Sequence, residues 1–160
     1  MHAVVDHFRE LSRIPRCSGH EEQVREFLQD WARINGFSSR TDAAGNLLVT
    51  VPASPGQEQA PVIVLQGHMD MVCEKNLDSS HDFTIDPLEL LIEGEWLQAA
   101  ETTLGADNGA GLALAMTLAE QKDLAHPPLE LLFTVDEESG LTGASSLESD
   151  FLTGKVLMVS

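Results

Sequence analysis

Residues 62–70 read VIVLQGHMD, an apolar run that ends in a glycine, a histidine and a carboxylate. A continuous run of branched apolar residues is typical of a strand buried inside a sheet. His68 and Asp70 follow where this strand is predicted to end. In open α/β sheets, ligands bind beyond the carboxyl ends of the strands. The stretch therefore predicts a central strand with a polar site at its end.

The rest of the chain alternates between strand and helix patterns. Apolar runs predict further strands at 46–51, 94–99, 129–135 and 155–159. Apolar residues at helical spacing predict helices over 3–14, 18–36 and 108–121. The last of these segments carries no charge before Glu120, so we expect a buried helix there. This alternation predicts an α/β fold with a mixed, largely parallel sheet flanked by helices.

The start of the second helix has a recognisable local pattern. Ser18 and Glu21 have the S-x-x-E spacing of a capping box, in which each side chain bonds the other residue's backbone N–H. We therefore expect the helix to begin at this pair.

The charge balance narrows the classes of partner. The chain has 26 acidic and 9 basic side chains among 160 residues, for a net charge of −17. Nucleic acid and anionic membranes select Lys and Arg, so neither is an expected partner. No run of about 18 apolar residues occurs, and no charged-then-apolar leader opens the chain. We expect a cytoplasmic protein, in which the acidic residues are either solvated surface or part of a cation site.

Two more segments bring acidic side chains to the same predicted sheet edge. Asp136, Glu137 and Glu138 follow the strand at 129–135, and Asp107 lies between glycines at the start of the buried helix. Each has a simpler explanation, namely an acidic surface turn for the glutamates and a helix N-cap for Asp107. Taken together with His68 and Asp70, however, three loops deliver an imidazole and carboxylates to one edge.

That combination favours a metal site. A carboxylate two residues after His68 suits a metal-bound imidazole, because its second nitrogen needs an acceptor. Mixed nitrogen and oxygen ligands suit Zn²⁺ or another first-row divalent ion better than Ca²⁺. Glu137 and Glu138 are neighbours, so one can bind metal while the other transfers protons.

Three motifs in order carry a family resemblance: GHMDMV (67–72), GADNGAG (105–111) and DEESGLTGA (136–144). They resemble the co-catalytic zinc metallopeptidase superfamily of aminopeptidases and dipeptidases. Within it they are most similar to the aminoacyl-histidine (Xaa-His) dipeptidase family. The segments IPRCSGHEE (14–22) and PPLELLFTVDEE (127–138) fit the same family, so the resemblance covers essentially the whole chain.

The resemblance implies a zinc-exopeptidase-like catalytic domain and a role for each matched residue. His68 would bind one metal ion, Glu138 the second, and Asp107 would bridge both. Asp70 would orient His68, and Glu137 would be the general base. The implied reaction is hydrolysis of dipeptides, with Xaa-His as substrate, by a water activated between two divalent ions. Zn²⁺ is the expected metal, with Co²⁺ or Mn²⁺ as alternatives.

Family members are much longer than this chain. They carry a further metal-binding carboxylate soon after the strand at 155–159, a second histidine ligand far downstream, and a lid or dimerisation domain. Residues 1–160 are therefore expected to be the N-terminal part of a catalytic domain, without that lid domain and the C-terminal part. We expect a homodimer at full length, and an inactive, weakly metal-binding chain when these residues stand alone.

Other potential ligands have no counterpart in the resemblance. Asp150 precedes the strand after which a carboxylate is expected, and His81 and His126 are expected in loops or on the surface. Cys73 is expected to be a small buried thiol. Cys17 is the one other cysteine, and the sequence offers no support for a disulfide between the two.

Two other functions remain open. One is a tripeptide aminopeptidase or deacylase of the same superfamily, against which the motifs GADNGAG and VCEK (72–75) favour the dipeptidase. The other is an inactive α/β fragment that only binds metal or has a structural role.

Overall fold

The computed structural model describes residues 2–159. Its helices are α1 (His2–Leu11), α2 (Glu22–Ile34), α3 (Ala106–Glu120), α4 (Glu137–Gly140) and α5 (Thr142–Ser145). Its strands are β1 (Ser38–Thr41), β2 (Leu47–Val51), β3 (Ile63–His68), β4 (Leu90–Glu93), β5 (Trp96–Ala99), β6 (Leu129–Thr134) and β7 (Val156–Val159). The predicted α/β class is confirmed.

Five strands form one mixed sheet in the order β1, β2, β6, β3, β7. Strand β3 runs parallel to both β6 and β7, whereas β2 is antiparallel to β6 and to β1. All six residues of β6 are buried, as expected for a central strand of largely apolar sequence. The register pairs His68 of β3 with Thr134 of β6. Both strands therefore end at the same edge of the sheet, which places the acidic residues after β6 beside His68.

The hydrophobic core lies mainly between the sheet and helices α1, α2 and α3. Leu131 and Phe133 of β6 pack into this larger cluster with Leu28 of α2 and Met116 of α3. Leu132, between them in sequence, packs into a smaller cluster with Leu48, Val64 and Phe151. This alternation follows from the two-residue period of a strand, because successive side chains point to opposite faces.

Some elements differ from the sequence prediction. The strand predicted at 94–99 forms as β5, but it pairs with β4 in a separate two-stranded sheet. Strand β1 was not predicted, because its four residues are all exposed and lack an apolar alternation. Helix α3 forms as predicted, yet Leu114 on it is 58% exposed. Among residues 2–159, no helix combines the length and apolar character that crossing a membrane requires.

The predicted capping box is wrong. Helix α2 begins at Glu22, and its N-cap residue Glu21 makes no side-chain capping hydrogen bond. Ser18 instead donates from its hydroxyl to the carboxylate of Asp70, and Glu21 accepts from the backbone N–H of Asp136. The local pattern gave a wrong prediction because residues distant in the sequence form hydrogen bonds with the same two side chains.

The expectation that Cys73 is a free thiol is also wrong. Cys17 and Cys73 form a disulfide, with their Cα atoms 5.7 Å apart. The backbone of Cys17 pairs with Met71 in an isolated parallel bridge. This contact brings together two cysteines separated by 56 positions in sequence, within the distance that a disulfide spans. The sequence carries no sign of the pairing because a contact between distant segments creates it.

Candidate metal centre

The side chains of His68, Asp107 and Glu138 converge at the carboxyl edge of the sheet. His68 is the last residue of β3, Asp107 lies in the first turn of α3, and Glu138 lies at the start of α4, just after β6. One ligand atom from each of these residues lies within 4.8 Å of those of the other two. The structure thus brings together the three residues that the sequence assigned to metal binding, and their role as ligands stays a prediction.

His68 is held in an orientation that suits metal binding. Its side chain is 6% exposed, and Nδ1 lies 3.3 Å from a carboxylate oxygen of Asp70 and 3.1 Å from the Asp70 carbonyl oxygen. Nε2 points the other way and lies 3.0 Å from Oδ1 of Asp107. When the proton sits on Nδ1 and bonds Asp70, the lone pair of Nε2 is left for a metal ion.

Asp70 organises more than the histidine. Its buried carboxylate accepts hydrogen bonds from the Ser18 hydroxyl at 2.7 Å and from the backbone N–H groups of Glu137 at 3.0 Å and Glu138 at 3.1 Å. Burial would raise the pKa of Asp70, but these bonds and the one with His68 hold the pKa well below its usual range. One ionised carboxylate therefore fixes both the imidazole and the backbone that carries the two glutamates.

The same contacts shift the pKa of His68. Burial lowers this pKa, but hydrogen bonds with Asp70 and Asp107 outweigh the burial and raise it to about 9. In the metal-free protein the ring is therefore protonated at neutral pH. A metal ion that binds Nε2 must displace that proton, so metal binding and proton release are coupled.

The two glutamates occupy different positions. Glu138 belongs to the converging group, whereas Oε2 of Glu137 lies 4.0 Å from Nε2 of His68. Burial raises the pKa of Glu138, the charge of His68 opposes this shift, and the negative charges of Glu137 and Asp107 add to it. Several carboxylates thus repel one another around one imidazole, a repulsion that a bound cation would relieve.

The donor set fits a divalent first-row ion. It combines an imidazole nitrogen with carboxylate oxygens, the mixture that suits Zn²⁺ and its neighbours. With metal–ligand bonds of roughly 2 Å, Nε2 of His68 and Oδ1 of Asp107, which lie 3.0 Å apart, can reach the same ion.

Asp107 stands between two clefts. His68, Asp107 and Glu137 line one cleft of about 270 Å³, and Asp107 and Glu138 line a second of about 280 Å³. The side chain of Asp107 is 83% exposed, so both sides of it are open to small molecules.

Several residues between α1 and α2 contact the loops of the site, although no sequence pattern assigns them to it. Arg16 donates to the backbone of the loop after His68, and Ser18 donates to Asp70. Glu21 is buried and accepts from the N–H of Asp136 at 3.0 Å, which supports the turn before the glutamates. The sequence feature that could have indicated these contacts is the cluster of polar residues in RCSGHE (16–21). A helix cap was the simpler explanation of that cluster.

The chain is similar in sequence to a known bacterial protein. It is 44% identical over 153 residues to the cytosol non-specific dipeptidase of Escherichia coli, an alignment that spans 96% of this chain and 32% of that protein. No protein-family model matches the chain.

Solved structures show the same relationship. The aminoacylhistidine dipeptidase of Vibrio alginolyticus superposes with a TM-score of 0.96 at 44% identity, over 99% of this chain and 32% of that one. A tripeptidase of Staphylococcus aureus superposes with a TM-score of 0.82 at 25% identity, over 99% of this chain and 42% of that one. The chain spans about a third of the length of the two dipeptidases that it matches.

Proposed function

We propose that this chain is a member of the M20 peptidase family, as its two 44%-identical dipeptidase relatives indicate, and that it forms the metal-binding part of a dinuclear dipeptidase. The observation that carries the proposal is the convergence of His68, Asp107 and Glu138 within 4.8 Å. The proposed substrates are dipeptides, with Xaa-His as the preferred class. The two 44%-identical relatives are named as dipeptidases, one of them as an aminoacylhistidine dipeptidase.

In this proposal the residues divide the metal binding among themselves. His68 would hold one ion, Glu138 would hold the other, and Asp107 would contribute to both, while Asp70 would keep the imidazole of His68 in place. When bound, such a pair of ions lowers the pKa of a water and polarises the scissile carbonyl. Zn²⁺ is the proposed metal, and Co²⁺ or Mn²⁺ are substitutes with similar ligand preferences.

Glu137 is the proposed general base. It accepts a proton from the attacking water and returns it to the leaving amine, so one carboxylate serves both halves of the reaction. Its position supports this role, since its backbone is anchored by Asp70 and its side chain lies beside the converging group.

The proposal extends to the domain, the oligomeric state, the location and the partners of the protein. We assign residues 1–160 to one part of a catalytic domain, and we propose a cytoplasmic homodimer for the whole protein. The family resemblance supports both, and the E. coli relative is named as a cytosol protein. A net charge of −17 argues against nucleic acid or an anionic membrane as a partner. Tripeptides are a weaker candidate substrate, because the tripeptidase match has 25% identity against 44% for the dipeptidases.

The two glutamates provide the test. We expect Zn²⁺ titration calorimetry to find two ions on the parent chain and on Glu137→Gln, but one ion fewer on Glu138→Gln. Binding should be weak, because the described residues give each ion two ligands where catalytic zinc sites usually have three. For the same reason we expect little dipeptide hydrolysis by the 160-residue chain alone.

Turnover is therefore measured in a chimera in which this chain replaces the aligned residues of the E. coli relative. There, Glu137→Gln should lower the hydrolysis of Xaa-His dipeptides by about 10²- to 10⁴-fold while metal content is kept. Equal loss of metal in both variants would contradict the division of roles. Absence of metal binding by the parent chain would favour a purely structural fragment.

A further inference from the structure

We propose that Arg16 is a positioning residue of the metal site, whose guanidinium fixes the loop that follows His68 against the turn that carries Asp107. The proposal rests on the function proposed above, since it concerns the same metal site. Arg16 itself is 1% exposed and supplies no metal ligand, so it would act only through the residues that it holds.

The guanidinium donates to two separate segments of backbone. Nη1 donates to the carbonyl oxygens of Met69 at 3.0 Å and Asp70 at 3.1 Å, directly after His68. Nη2 donates to the carbonyl oxygen of Gly105 at 2.5 Å, two residues before Asp107. The Asp70 carbonyl is also the one that lies 3.1 Å from Nδ1 of His68. One side chain thus connects the backbones on which two of the three proposed ligands depend.

Two glycines of the GADNGAG segment make room for this group. A Cβ atom on Gly105 would lie 2.6 Å from Nη2 of Arg16, and a Cβ on Gly109 would lie 2.7 Å from the same atom. Both distances are shorter than side chains tolerate. A Cβ on Gly105 would also lie 2.6 Å from Sδ of Met71, and a Cβ on Gly109 would lie 3.0 Å from the ring of Phe8, so either substitution would crowd the guanidinium together with one neighbouring side chain. Gly105 lies 89 residues after Arg16 in the sequence. The lack of a side chain at Gly105 and at Gly109 leaves the space that the guanidinium occupies.

The setting of Arg16 is unfavourable for a residue that serves stability alone. Burial lowers the pKa of Arg16 to about 10, opposed by the negative charge of Asp70, and the group still remains charged at neutral pH. Its Nε is buried without a hydrogen-bond partner among residues 2–159. Buried charges often stabilise a fold less than apolar residues of the same size would. What the guanidinium supplies here is a defined geometry between two loops.

The geometry also explains why the residue is arginine. A guanidinium is a rigid planar fork, so Nη1 and Nη2 can each serve a different loop at a constant separation. A lysine has one nitrogen on a flexible stem and cannot hold both loops in the same way. Arg16→Lys therefore keeps the positive charge but removes the planar group that contacts both loops.

Titration with Co²⁺ tests the proposal on the 160-residue chain. The visible absorption of bound Co²⁺ reports the coordination geometry, and the titration yields the dissociation constant. We expect Arg16→Lys to weaken Co²⁺ binding by about tenfold, the lower end of the effect of removing groups that support metal ligands. We also expect its absorption spectrum to differ from that of the parent chain.

Two controls separate positioning from general loss of stability. Arg40→Lys also removes guanidinium bonds to backbone carbonyls, those of Asp150 and Phe151, but away from the site. Leu132→Ala opens the smaller core cluster and destabilises the whole fold. Both controls should keep the parent spectrum and a dissociation constant within about twofold of the parent value, whatever their thermal stability.

Gly109→Ala is a second variant, which keeps arginine at position 16 but crowds its Nη2 atom. Alanine is the better helix former, so helix propensity alone predicts no harm, whereas displacement of the guanidinium predicts weaker Co²⁺ binding and an altered spectrum. If Arg16→Lys does not fold, this variant decides the question. Parent affinity and spectrum in the folded variants would overturn the role of Arg16. Absence of Co²⁺ binding by the parent chain would overturn the proposed function, and this inference with it.

Discussion

At the scale of single residues, Asp70 has the largest organising role. It contacts the ring of His68, accepts from Ser18, and accepts from the backbone of both Glu137 and Glu138. The sequence predicted the first of these contacts from the two-residue spacing alone. The other contacts come from segments far from it in the chain, so no local pattern could show them.

The raised pKa of His68 makes the metal-free protein less stable at alkaline pH. The pKa is about 9 in the folded chain and 6.5 in its ordinary state, so the stabilisation is fully present below about pH 6.5 and is lost as the pH rises through 9. Between pH 7 and pH 9 we expect the free energy of unfolding to fall by about 2 kcal/mol. Denaturant unfolding in the presence of a chelator measures this fall.

A pair of variants identifies the responsible group. His68→Gln should remove most of the fall in the free energy of unfolding between pH 7 and pH 9. His20→Gln, at an exposed position, should keep that fall. A fall that persists in His68→Gln would show that other groups titrate in this range.

Asp70 affects stability at acid pH. Its low pKa adds stability above the ordinary pKa of 3.8, and this stability is lost as the pH falls further.

At the scale of elements, the segment between α1 and α2 connects the parts of the site. Its Arg16 and Ser18 bind the loop after β3, its Glu21 binds the turn after β6, and Cys17 is joined to Cys73. In sequence this segment looks like a simple helix start. In the structure its side chains hold two strand ends in place, which explains why the predicted cap does not form.

The disulfide should stabilise the fold by about 2–4 kcal/mol, because it closes a loop between residues 56 positions apart and so restricts the unfolded chain. We expect the double variant Cys17→Ser, Cys73→Ser to unfold at lower denaturant concentration than the parent. The parent chain in the presence of a reductant should match the double variant. Equal stability of the parent with and without reductant would contradict the prediction.

At the scale of the whole molecule, the sheet ends in an apolar edge. The four residues of β7 are between 48% and 68% exposed. They lie beside β3, and the other side of β7 pairs with no described strand. Unpaired apolar edge strands are sites of association between chains.

We therefore expect the 160-residue chain to self-associate in a concentration-dependent way. Size-exclusion chromatography over a range of loading concentrations measures this. Leu157→Lys places a charge on the edge strand and should shift the chain toward monomer. The matched control is Leu77→Lys, at a fully exposed leucine outside the sheet, which should leave association unchanged. A parent chain that stays monomeric at every concentration would show that the exposed edge strand β7 does not cause association.

Local sequence patterns were enough to predict the α/β class, the strands that end at the candidate site, and the polar residues that the structure brings together there. These follow from local periodicity and from polar residues placed directly after apolar runs, as in VIVLQGHMD, so neighbouring positions contain the information. Tertiary structure decided the Cys17–Cys73 disulfide, the use of Ser18 and Glu21, and the burial of Arg16 between two glycines. Each of these depends on a contact between segments distant in the chain, and only the folded sheet brings such segments within bonding distance.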